Sequence, residues 1–187
     1  MLKSKIPGGN ELLNPEYILK DKLKLFYGSR VADLGCGGSG YFSFQAAQMA
    51  GDSGLVYAVD VLKMVLKNID HRAKMLGLKN IKTVWSNLET VGGAKINDAT
   101  VDFVMLVSVL FQNEHPERVF REGARLLKSK GKLLVVDWKQ GIFPFGPPAE
   151  KKIDPDKVYD FALGAGLKKK DQFDAGRFHY GIVFERI

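Results

Sequence analysis

The sequence predicts an α/β fold, a doubly wound three-layer sandwich whose sheet begins mostly parallel and ends in an antiparallel C-terminal hairpin. Three observations carry this reading. Strand-length apolar runs alternate with helix-length amphipathic segments. Several of the runs are unbroken Val/Leu stretches ending in aspartate, which suits parallel strands covered on both faces. The last two strand-like pieces are joined by a short polar connection, as antiparallel neighbours are.

Asn14-Pro15 is a cap followed by a first-turn proline, so a helix opens there, and residues 1–28 are expected to form an N-terminal helical cap over the site. Residues 30–33 form a first strand, followed by a cluster of glycines and a helix over 42–50. LVYAVD, Leu55–Asp60, is the second strand. A helix over 62–76 carries apolar residues at 62, 65, 66, 69, 73 and 76. Ile81–Trp85 and the run VDFVMLVSVL at 101–110 are the third and fourth strands. A helix over 116–127 and the strand LLVVD at 133–137 complete a binding core spanning 29–140. Residues 141–187 hold the Pro/Gly-rich loop GIFPFGPPAEKK, a helix opened by Asp154-Pro155 and stopped by Gly166, and strands 167–173 and 179–185 joined by DAGR.

A chain of 187 residues, 45% of them hydrophobic, suits a single domain over 1–187 with a full core. Charged residues at 26% among 11% aromatics exclude a disordered chain. The one cysteine, Cys36, excludes a disulfide scaffold and a cysteine-ligated metal site. No metal is expected, and a reducing, cytoplasmic setting is. No run approaches the ~20 apolar residues of a membrane span, and Met1 to Asn10 is too polar for a signal peptide. The net charge of +7 permits contact with nucleic acid or an acidic substrate, but the lysines are scattered, as on a solvated surface.

The most specific local signal is VADLGCGGSG, Val31 to Gly40. Gly35, Gly37 and Gly40 read as G-x-G-x-x-G after a strand, and Asp60 closes the next strand, where it can accept hydrogen bonds from ribose hydroxyls. Asp33 selects among nucleotides. A dinucleotide would bring a pyrophosphate over this turn, and a carboxylate there repels it. S-adenosylmethionine has no phosphate, and its α-amino group and sulfonium are positive.

VADLGCGGSGYFS followed by VYAVD resembles the Rossmann-like S-adenosylmethionine-dependent methyltransferases, in particular their quinone- and small-molecule-type domain. VDFVMLVSVLFQNEHPERVFREGARLLKSKGKLLVVDW is similar to the family's fourth strand, following helix, turn and fifth strand. The resemblance implies a seven-stranded sheet and S-adenosylmethionine as cofactor. It also implies roles. Asp33 would lie near the methionine amino group, with Gly35, Cys36, Gly37 and Gly40 in the loop beneath it. Asp60 would hold the ribose diol, with Val61 and Met64 near the adenine. Asn87, beside Leu88, would stand where the family commonly has an aspartate, and Ser108 would face the reactive end. Gly38-Ser39 make the loop one residue longer than the family's commoner form.

Methyl transfer is an in-line displacement that the protein serves by positioning the acceptor and excluding water. Tyr41, Phe111, Gln112, Asn113, His115, Trp138 and His179 are candidates for the acceptor side. His115 is either a general base or the residue that opens the helix at Pro116. Asp137 either orients an acceptor or caps the loop that follows. Phe143 and Phe145 either cover an apolar acceptor or stiffen the 141–148 connector. The Asn/Asp-Pro-Pro-aromatic signature of enzymes that methylate planar amino groups is absent, and a single cysteine does not suit arsenite. A small-molecule acceptor is therefore expected. The alternatives are an RNA methyltransferase, an NAD-binding oxidoreductase and a non-catalytic cofactor-binding protein.

Overall fold

The computed structural model describes residues 12–187, so the polar start at Met1 to Asn10 lies outside the described residues. Seven strands form one sheet: β1 (Arg30–Leu34), β2 (Leu55–Asp60), β3 (Ile81–Trp85), β4 (Val101–Val107), β5 (Leu127–Trp138), β6 (Leu167–Gly176) and β7 (His179–Arg186). Their order is β3-β2-β1-β4-β5-β7-β6. The first five pair in parallel, and β7 runs antiparallel to both β5 and β6.

Two apolar layers sandwich the sheet. On one face lie α2 (Tyr41–Ala50), α3 (Lys63–Met75) and the N-terminal helix, which begins as α1 (Pro15–Tyr17) and widens into a π-helical stretch, Ile18–Leu23. On the other lie α4 (Pro116–Leu126) and α5 (Pro155–Gly164). The caps read from the sequence are present: Asn14 accepts the Tyr17 amide at 3.1 Å and Asp154 the Asp156 amide at 2.9 Å. Ile18, Leu19 and Leu23 are fully buried against Val31, Phe42 and Met105. The N-terminal helix is thus a wall of the core.

The crossover from β3 to β4 uses a loop in place of a helix. Leu88, Ala94 and Ile96 fill the helix's place against the sheet. Glu122 of α4, fully buried, accepts the amides of Gly92 at 2.7 Å and Ala94 at 3.1 Å. Arg125 pairs with Glu122 and donates to the Ile96 carbonyl.

Three boundaries differ from the sequence reading. The strand expected over 101–110 stops at Val107, because Ser108 turns into the left-handed region at φ 55° and a 3-10 turn, Leu110–Gln112, follows. Val109 and Leu110 are apolar because that turn is buried. Strand β5 begins at Leu127, six residues before the run expected at 133–137, with a register shift opposite Val101 and Phe103. Strand β6 continues to Gly176, so the hairpin turns at Arg177-Phe178 instead of over DAGR.

Candidate active site

The carboxyl ends of β1, β2 and β4 open on a cleft of about 410 Å³ at the point where the strand order reverses. The glycine loop is its floor. A Cβ on Gly35, at φ 82°, would lie 2.5 Å from the Val109 side chain, so glycine lets the loop seat against the end of β4. Gly37 and Gly38 face open space. Gly40, also at positive φ, packs beneath the loop, where a Cβ would lie 2.4 Å from Ile69. It serves helix packing and does not line the cleft.

Asp60 lies on the cleft wall. Its Oδ2 accepts the Gly37 amide at 3.2 Å and its Oδ1 the Leu62 amide at 2.9 Å. These bonds tie the end of β2 to the loop and leave lone pairs on both oxygens. Val61, Asn87 and Leu88 line the same cleft. The Asn87 carbonyl oxygen closes a local turn by accepting the Glu89 amide at 2.9 Å. Leu62, Val65 and Glu89 also line the cleft and carry no sequence signal. Glu89 arrives because the pinned 86–99 loop folds back, and its carboxylate accepts the His115 amide.

Asp33 sits behind the loop, 2% exposed, accepting the Ser43 hydroxyl at 2.6 Å. Burial pushes its carboxyl up to about 7 despite that bond, and nearby Asp60 adds to the rise. Cys36 is buried, and burial raises its thiol far above the ordinary value. Met64 projects into solvent at 75% exposure. Neither Asp33, Cys36, Met64 nor Ser108 lines the cleft.

A second cleft, of about 570 Å³, shares Gln112 and Asn113 with the first and extends past Phe111 to Ile153 and Phe161. Neither catalytic candidate lines it. His115 precedes α4, its Nδ1 3.5 Å from Glu117 Oε1. Asp137 is 1% exposed and accepts the Trp138 amide at 2.8 Å. Burial raises its carboxyl to about 7, tempered by the backbone amides of Trp138, Leu110 and Phe111. His179 is fully buried beside Trp138, with ring centroids 4.3 Å apart and both ring nitrogens unpartnered. Burial and Lys139 lower its pKa to about 4. Phe143 and Phe145 pack on Phe178, and Phe145 also on Trp138, so the connector is fastened over the ends of β5 and β7. Among the described residues no group of His, Cys, Asp and Glu could hold a metal ion, and no helix is long and apolar enough to cross a membrane.

Residues 25–172 match the family described as a methyltransferase domain. A solved S-adenosylmethionine-dependent methyltransferase from Aquifex aeolicus superposes with a TM-score of 0.87 at 28% identity, covering 97% of this chain and 94% of that one. The ubiquinone/menaquinone biosynthesis C-methyltransferase of Cronobacter sakazakii is 27% identical over 82% of the chain. An arsenite methyltransferase of Halobacterium salinarum is 31% identical over 74%. The chain spans 57% of the length of the first of these two relatives and 34% of the second.

Proposed function

The chain belongs to the methyltransferase-domain family, and from that membership we propose that it transfers a methyl group from S-adenosylmethionine to a small-molecule acceptor. One observation carries the reading. Asp60 stands on the wall of a cleft floored by the glycine loop, where the Cβ positions of Gly37 and Gly38 are open, with acceptor capacity left on both oxygens. These residues fit the cofactor. Asp60 would accept from the ribose diol, Gly37 and Gly38 would admit the methionine part, and Val61 and Leu88 would border the adenine. Asp33 would act through the loop, its carboxyl ionising more readily as the cationic groups settle above it.

When bound, S-adenosylmethionine supplies a methyl group already activated for in-line displacement. The chain's own task is placement. Gln112 and Asn113, common to both clefts, stand where donor and acceptor would meet. We assign Asp137 to positioning: it lies against the amides of the turn that carries Gln112. His115 keeps the helix-opening role. The relatives' names support a small-molecule acceptor. The single, buried Cys36 weighs against arsenite and suits the reducing cytoplasm.

Titration with S-adenosylhomocysteine tests the ribose assignment. Asp60→Ala should weaken binding by about 30-fold, the size of a lost charge-assisted hydrogen-bond pair, with Asp60→Asn in between. Unchanged affinity in either variant, with the far-ultraviolet spectrum intact, would contradict it.

A further inference from the structure

The second cleft combines an apolar floor with a small excess of cationic over anionic side chains. Phe111, Pro116, Ile153 and Phe161 supply the apolar surface. Lys151, Lys152 and Lys157 supply three ammonium groups, against the carboxylates of Glu114 and Glu150. Lys22, Lys128, Lys139, Lys168 and Lys170 pair with carboxylates, while most other lysines of the described residues do not. Among the described residues none of the three cleft lysines does, and neither Glu114 nor Glu150 forms an ion pair.

Lys152 is the most informative. It is 7% exposed, its Nζ donates to the Gly141 carbonyl at 2.6 Å and lies 4.0 Å from the Phe143 ring centroid. Its ammonium is engaged by Gly141 and Phe143 of the connector, which do not line the cleft, so the charge lies behind the wall, and burial lowers its pKa. A buried cation held by a carbonyl and the rings of Phe143 and Trp138, with no carboxylate partner, keeps a positive potential that favours an anion in the adjoining cleft. Lys151 and Lys157 are exposed and free to swing over an entering ligand.

We propose that this cleft binds the acceptor, and that the acceptor is an amphipathic anion: an apolar skeleton against Phe111 and Phe161, with its anionic group facing Lys151 and Lys157, in front of the buried charge of Lys152. The proposal rests on the methyltransferase reading for the word acceptor, but the anion preference stands on the cleft alone. The other lysine group, Lys24, Lys128, Lys130 and Lys132, lies at a separate cleft, so the positive charge forms no continuous nucleic-acid track. Lys128 pairs with Asp102 at the amino-terminal end of β4, and Lys168 and Lys170 pair with Glu185 on the edge hairpin.

The test is calorimetric titration of the full chain with naphthoate and its neutral counterpart naphthamide, with and without saturating S-adenosylhomocysteine. Naphthoate should bind about tenfold more tightly than naphthamide, as expected for one ionic hydrogen bond. Lys151→Ala/Lys157→Ala should remove that preference while leaving affinity for S-adenosylhomocysteine unchanged. Lys168→Ala/Lys170→Ala, which removes the same charge from β6, should leave the preference intact. Equal binding of the two ligands, binding of neither, or a preference lost equally in both variants would overturn the proposal. So would a cleft that takes single-stranded RNA with no preference between the naphthyl pair. If S-adenosylhomocysteine fails to bind while the naphthoate preference and its loss persist, the anion site stands and the methyltransferase reading falls.

Discussion

Asp33 and Asp60 both close strands beside the glycine loop, yet the fold gives them different tasks. Asp60 reaches the cleft, whereas Asp33 is sealed behind it on Ser43. The burial of Asp33 has a measurable consequence. Its carboxyl moves from the ordinary 3.8 to about 7, so between those values the folded chain holds a proton that the unfolded chain has lost. Stability from this group is therefore present at low pH and declines as pH rises through about 7. Asp137 acts in the same direction. His179, lowered from 6.5 to about 4, acts oppositely, because the unfolded chain takes up its proton first as pH falls. Asp33→Asn keeps an acceptor for Ser43 and removes the titration. Its urea midpoint should match the wild type near pH 4 and exceed it near pH 8; parallel curves across that range would contradict the burial argument. Asp33 was legible as a member of the loop because it precedes the first glycine by two residues. Its sealing was not, because that depends on Ser43 returning from α2.

At the scale of elements, the cofactor wall formed by Asn87, Leu88 and Glu89 depends on a loop held from below. Glu122 satisfies two of its amides and is clamped by Arg125, whose Nε and Nη2 lie 2.9 and 2.7 Å from its two carboxylate oxygens. Arg125 also reaches Asp98 and the carbonyls of Ala94 and Ile96. Glu122→Ala leaves two amides without an acceptor and takes from Arg125 its bidentate partner, and should cost about 3–5 kcal/mol in urea denaturation, the scale of breaking a buried pair. Glu122→Gln retains the acceptor oxygen and should cost less. Equal and small losses in both variants would show that the loop holds itself. The alternation of apolar runs made the strands and helices legible, and N-caps with a following proline placed the starts of α1 and α5. Apolar pattern did not distinguish a buried strand from a buried turn, so β4 was read through Val109 and Leu110. Nothing local marks Glu122 as a buried clamp, because its partners lie 28 and 30 residues away in sequence. The N-terminal helix was expected to cover the site, but Ile18 and Leu19 point into the sheet face, and none of its described residues lines the cleft.

Over the whole molecule, the strand order puts the glycine loop, Asp60 and the end of β4 around one opening, and continues that opening into a lysine-bearing cleft above α5. The net charge of +7 is spread over both ends of the sheet, with lysines grouped at the second cleft and, separately, Lys24, Lys128, Lys130 and Lys132 grouped at the amino-terminal ends of β4 and β5. That distribution favours a small ligand over a polyanion. The methyltransferase reading rests on the cofactor cleft. The measurement that addresses it most directly is calorimetric titration of the full chain with S-adenosylmethionine, S-adenosylhomocysteine and NAD. At pH 8, where Asp33 is ionised, one site per chain is expected for each of the first two and no heat from NAD, since that carboxylate would repel a pyrophosphate at the loop. Binding of NAD alone would contradict it and make the glycine loop a dinucleotide site.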